Sequence, residues 1–254
     1  MNPSCEYISE YMREYIKELL IETSLTGRKL EKVATKIEKE VTDYILDEDL
    51  RETFATKGNV AFKIDLELDE RVIWLRDIIV NLRASEEFNS DAKYEFDLDA
   101  TEEQRRDSDL IVNLFAPQDY SDEEVEKFEA EYESDIRHEL EHSGQDTETL
   151  MGVQRTIQSA DDIWASLENA ETYYINQSET PAHVSGWVQK AKRQDIPAAD
   201  AIDEELYRVY ATGMAHGYSE EELNPLMKRL REIYQFYLMT RWPEQDWPAE
   251  MRDQ

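Results

Sequence analysis

Cysteine is almost absent: Cys5 stands alone among 254 residues, so no disulfide can form within the chain and a cysteine-built zinc site is excluded. Histidine is nearly as scarce, with four residues. Glycine and proline number seven each, and no low-complexity segment, internal repeat or flexible linker divides the chain. No apolar run approaches the roughly 20 residues that cross a bilayer. Met1 to Glu10 also lacks the basic stretch and apolar run of a secretory signal. Positive charge is short as well: 28 basic residues face 59 acidic ones, a formal net charge of -31. Such a surface repels phosphate backbones, so nucleic acid is not an expected partner; lacking a spanning run, the chain is not expected to engage a membrane either. Solubility, or adaptation to a salty medium, is the simpler reading of the acidity; attraction of cationic substrates is the sharper one. The expected location is cytoplasmic, or, for a viral chain, the host cytoplasm or the virion.

What is present is enough to fold. Apolar residues make up 40%, with 14 Tyr and 5 Trp. Tyr7, Ile8, Tyr11, Met12, Tyr15, Ile16, Leu19 and Leu20 recur at helical spacing, and Leu30, Val33, Ala34, Ile37, Val41 and Tyr44 repeat it beyond Thr26-Gly27. From residue 59 the period falls to two. Val60, Phe62, Ile64, Leu66 and Leu68 predict one strand, Ile78-Ile79-Val80 the centre of a second, and Tyr94, Phe96 and Leu98 a third. Asp109 to Phe115 is a more continuously apolar fourth, stopped by Pro117. Ser121 and Glu124 then form a capping box that opens a helix with an apolar stripe of Val125, Phe128, Tyr132, Ile136 and Leu140, and Gly144 stops it. Helical segments follow at roughly 158–172, 179–193, 200–215 and 219–241. The aromatic end (Tyr234, Phe236, Tyr237, Trp242, Trp247) is expected to pack back onto the domain. The fold class is therefore α+β: a small mixed sheet of about four strands, then a long helix, flanked by helices at both ends. Residues 1–50 read as an N-terminal helical extension and 51–254 as the main domain, unless the two are continuous.

One pattern dictates a chemistry. His138-Glu139-Leu140-Glu141-His142 is an H-E-x-x-H run on the last turns of the capped helix. Two imidazoles one turn apart point the same way and can share a metal ion, while Glu139 is placed to take a proton from water. Two imidazoles do not complete a catalytic zinc site, which generally has three protein ligands. Glu179, His183 and His216 are the downstream candidates, along with many acids. Glu179 is favoured because Ser178 can cap a new helix there and Ala182, one turn on, lets that helix approach closely. His183 shares the face of Glu179 and competes for the ligand role, or else contacts substrate.

Strands, then H-E-x-x-H, then Glu179-Thr180-Pro181-Ala182 on a later helix resemble the gluzincin branch of the zincin metallopeptidases. The likeness is to short phage-encoded or bacterial zinc peptidases with an aromatic-rich stretch before the second motif, and covers roughly residues 60–194. It implies a zincin-like fold, Zn2+ on His138, His142 and Glu179, Glu139 as general base, and a peptide or protein substrate. Glu148 stands where a third metzincin histidine would fall, so that branch does not fit. Tyr173, Tyr174, His216 and Tyr218 are eligible by chemistry to donate to an oxyanion, with packing as the alternative for each. Asp135 or Glu141 is eligible to orient a ligand histidine. Two other readings stay open: a solvated helix end in an acid-rich chain, and a catalytically degenerate zincin fold serving as a structural or assembly protein, for example of a virion.

Overall fold

The computed structural model describes residues 29–65, 75–95, 108–145, 160–176 and 178–242. Cys5, the stripe from Tyr7 to Leu20, and Leu66, Leu68, Phe96, Leu98 and Trp247 lie outside the described residues.

Helix α1, described over 29–45, buries Leu30, Ala34, Ile37, Val41 and Ile45 at three- and four-residue intervals. A second helix, α2 (Glu48–Lys57), follows at once. Its only buried residue is Phe54, so apolar spacing does not mark it; its ends do. The Asp47 side chain accepts from Leu50 N, and Gly58, at φ 69°, closes the helix in the left-handed conformation.

Strands β1 (Asn59–Ile64), β2 (Asp77–Ala84), β3 (Asn89–Glu95) and β4 (Asp109–Ala116) form one mixed sheet in the order β1-β2-β4-β3. β2 and β4 run parallel, and the outer strands are antiparallel to them. The most apolar strand, β4, sits inside the sheet, with Leu110, Val112, Leu114 and Ala116 turned into the core. β3 takes the edge and buries only Tyr94. The expected third strand thus begins earlier than its alternation implied, in the polar stretch Asn89-Ser90-Asp91.

Helix α3 (Asp122–Ser143) carries the predicted capping box: Ser121 N donates to Glu124 Oε2 at 2.8 Å, and Glu124 N donates to Ser121 Oγ at 3.3 Å. It lies against β3 on one side and α6 on another. The second half comprises α4 (Ala160–Ile163), α5 (Leu167–Tyr174), α6 (Glu179–Gln194), α7 (Ala198–Ala215) and α8 (Glu220–Arg241). The segment expected as one helix over 158–172 is two, because the Ser166 side chain accepts from Asn169 N and starts a new one. Tyr234, Tyr237 and Trp242 are buried, so the described aromatic end packs back. No described helix is long and apolar enough to cross a membrane.

Two apolar cores result among the described residues. One joins α1, α2, the sheet and α3; the other joins α5 to α8 with Trp164. Leu30 to Ile45 share the core of the strands, so packing draws no line near residue 50 among the described residues. The cores meet where α3 crosses α6, and polar groups fasten that seam to α1. Gln189 Nε2 donates to Glu133 Oε1 at 2.8 Å, Thr35 Oγ1 to the same oxygen at 3.0 Å, and Arg193 pairs with Glu38 and Glu129.

Glu38 is the weak point of this fastening above neutral pH. Burial raises its carboxyl to about 7, Arg193 opposes, and Glu133 and Glu129 add to the rise. A folded-state value above the unfolded one of about 4.5 means the contribution is full below pH 4.5 and is lost as pH climbs through 7. Glu38→Gln should therefore shrink the stability loss between pH 5 and pH 8 by about 2 kcal/mol, read from urea unfolding at both values.

Candidate metal centre

Local sequence sets the first half of the site. The α3 stripe anchors its apolar face on the sheet, and His138, Glu139 and His142 emerge on the flank toward α6. Their partner comes from the first turn of α6. Asn176 Oδ1 accepts from Ser178 N at 2.8 Å and from Glu179 N at 2.7 Å, so the Asn176 side chain, not Ser178, satisfies the opening amides of that helix.

Close approach of the helices comes from Gly186. A Cβ there would stand 2.7 Å from Ser134 O and 3.4 Å from His138 Cβ. Ala182, one turn earlier, is fully buried on the same seam. Gly186→Val should drive α6 off α3, costing about 1–3 kcal/mol in urea unfolding and weakening the binding of added zinc as Glu179 retreats.

The seam brings three donor atoms together. His138 Nε2 and His142 Nε2 are 3.2 Å apart. Glu179 Oε2 is 3.4 Å from the first and 3.6 Å from the second. A tetrahedral ion with bonds of about 2.0–2.2 Å separates its ligands by roughly 3.3–3.6 Å, so the triangle has the dimensions of one face of such a shell. Two imidazoles and a carboxylate suit zinc and neighbouring divalent ions. Among the described residues these three are the group whose donor atoms all lie within 4.8 Å of one another, and His183 is not part of it.

Surrounding groups orient the donors. His142 Nδ1 lies 3.0 Å from Gln145 Oε1 and 3.2 Å from Ser178 Oγ, while Ser178 Oγ donates to the same Gln145 oxygen at 2.7 Å. That arrangement favours a proton on Nδ1 and points Nε2 at the triangle. Burial alone would discharge His142, but the Glu179 carboxylate beside it outweighs that and raises it to about 9. Burial likewise works against the Glu179 charge, and His142 and His138 hold that carboxyl well below the usual range. The two imidazoles thus act as the charge partner of Glu179.

Glu139 reaches the same space from the side. Tyr94 N, on edge strand β3, donates to its Oε2 at 2.7 Å, and its Oε1 lies 3.6 Å from His138 Nε2. One oxygen is tied by a backbone amide and the other faces the triangle. The site opens into a cleft of about 360 Å³ between β3, α3, α5, α6 and α7.

The remaining candidates separate cleanly. Tyr173, Tyr174 and His183 line the cleft. The Tyr174 hydroxyl accepts from the Trp164 indole, and burial raises its phenol to about 12. Burial, then the charges of Glu179 and Glu139, push the Tyr173 phenol well above its usual value, so it keeps its proton. His183 Nε2 is 4.0 Å from Glu179 Oε2, and burial, with His138 beside it, lowers the ring to about 3. His216 does not join them: it ends α7 and stacks on Trp164 at 6.0 Å, outside the cleft lining. Tyr218 donates to Trp164 O at 3.1 Å, also away from the cleft.

Nor does Glu141 orient a ligand. It points behind α3, where Arg241 Nη1 (2.8 Å), Arg137 Nη2 (2.6 Å) and Ser185 Oγ (3.2 Å) surround it. Burial favours its neutral form, yet Arg241 and Arg137 hold the carboxyl down to about 2. Asp135 accepts from Ser90 Oγ on the cleft wall. Gln145, Asn176 and the Tyr94 amide went unnoticed in the sequence. Only Asn176 carried a signal, an Asn three residues before Glu179 at a helix start.

Comparison with known proteins finds no match for this chain: no family model, no curated protein and no solved structure.

Proposed function

We propose that this chain is a zinc-dependent peptide-bond hydrolase of the gluzincin type, acting on a peptide or protein substrate. The observation that carries the reading is the triangle of His138 Nε2, His142 Nε2 and Glu179 Oε2, with Glu139 Oε1 3.6 Å from its first corner. Those three residues would hold the ion, which when bound polarises the scissile carbonyl and brings the pKa of water toward 7. Glu139 Oε1 takes the proton of the attacking water as its oxygen bonds to the carbonyl carbon. The same carboxylic acid returns that proton to the amide nitrogen as the C–N bond breaks, leaving an amine and a carboxylic acid that then gives its proton to solvent. The Tyr94 amide keeps Glu139 in place through both transfers by holding the oxygen that does not react. Half-buried Tyr173 can present its hydroxyl to the substrate from the cleft wall.

Metal removal tests the reading. Dialysis against a strong chelator should abolish cleavage of an unfolded protein substrate, and about one equivalent of zinc per chain should restore it. Cleavage that survives complete demetallation would rule the reading out.

A further inference from the structure

Resting on that reading, we propose that His183 is a further catalytic residue, whose Nε2–H donates to the substrate carbonyl oxygen as negative charge builds there. The geometry is unusual for a packed histidine. Nε2 is sealed from solvent and has no hydrogen-bond partner among the described residues. An unsatisfied buried nitrogen is costly, and phenylalanine in the same aromatic nest would avoid that cost. The nest is real: Trp187 stacks on the ring at 5.3 Å, His138 lies 4.7 Å away and Tyr174 5.7 Å away. Packing alone therefore fixes the direction of the ring, and it turns the orphaned nitrogen toward the ligand triangle.

Position excludes the competing roles. At 4.0 Å from Glu179 Oε2 the nitrogen is too far for a hydrogen bond to that carboxylate. It also falls outside the close-set donor group, so the ring does not close a four-ligand cage. An oxygen lodged beside Glu179 Oε2, on the cleft side, would come within reach of Nε2 and supply the partner it lacks. Glu179 and His183 sit one turn apart on α6, so a single helix would carry both a ligand and the donor for the developing charge.

The experiment compares the wild-type chain, His183→Gln, which keeps an N–H donor of similar reach, and His183→Phe, which keeps only the packing. Each is measured for zinc stoichiometry, for kcat and KM on a peptide, and for affinity toward a phosphinic peptide whose charged oxygens mimic the tetrahedral carbon. All three should bind about one zinc equally well. His183→Phe should lose about 100-fold in kcat with KM little changed, and the phosphinic peptide should weaken by a similar factor. His183→Gln should recover part of both. Loss of zinc in His183→Phe would make the residue a ligand and overturn the assignment. Unchanged phosphinic affinity in His183→Phe, or no recovery in His183→Gln, would overturn it as well, while leaving peptide hydrolysis by the wild type intact. A zinc-loaded wild type that cleaves nothing and ignores the phosphinic peptide would instead bring down the peptidase reading, and this assignment with it.

Discussion

Glu139→Gln is expected to bind zinc as tightly as the wild-type chain and to lose about 10³-fold or more in kcat. Glutamine has nearly the same shape, and its amide oxygen can still accept from Tyr94 N, so α3 and β3 should keep their contact. What disappears is the basic oxygen that faces the triangle 3.6 Å from His138 Nε2. The carboxylates nearest to it in sequence are held by other groups. Glu141 is directed behind the helix toward Arg241 and Arg137, and Asp135 is engaged by Ser90. The effect should fall on kcat with little change in KM, since the proton is moved only as the transition state forms. Zinc retention read by metal analysis, beside a peptide-cleavage assay, checks both halves. The same substitution separates a working enzyme from a degenerate zincin fold kept for structure or assembly, in which it would be harmless.

The second large effect concerns the ligands. His142→Ala should abolish stoichiometric zinc binding, because it removes a corner of a triangle with 3.2–3.6 Å sides and leaves two protein donors. Ligand binding to the folded state stabilises it by about 4 kcal/mol at a thousandfold excess over Kd. For a chain of this size that is a rise in Tm of roughly 10 °C on adding zinc. The wild type should show it and His142→Ala should not. Glu179→Ala should behave the same way, with one difference. Without the carboxylate, the charge that raises His142 to about 9 is gone, so the metal-free variant should release the His142 proton at a lower pH than the wild type. NMR titration of the imidazoles, followed without metal, reads that shift.

Much of this site was legible in the sequence because its parts are periodic or local. The capping box at Ser121 and Glu124 marks the start of α3, and the stripe through Leu140 fixes which flank carries His138 and His142. Ser178-Glu179 at a helix start and the small Ala182 pointed to Glu179, which lies 37 positions beyond His142 in sequence (179 − 142) and 3.6 Å from it in space. What could not be read depends on register between distant segments. β3 buries one side chain, so its hydrophobic pattern is nearly silent, and nothing local says that the amide of Tyr94 will meet Glu139. Gln145 reaches His142 only because Ser178 arrives from the next helix to share it. His216 failed for the opposite reason: its residue type is suitable, but a stack on Trp164 holds it elsewhere.

X-ray absorption at the zinc edge of the metal-loaded chain tests the central claim most directly. Two imidazole shells and one or two oxygens at about 2.0–2.1 Å, with one imidazole lost in His142→Ala, is the expected spectrum. A shell of oxygens alone, or one left unchanged by replacing His138, His142 and Glu179 in turn, would contradict it.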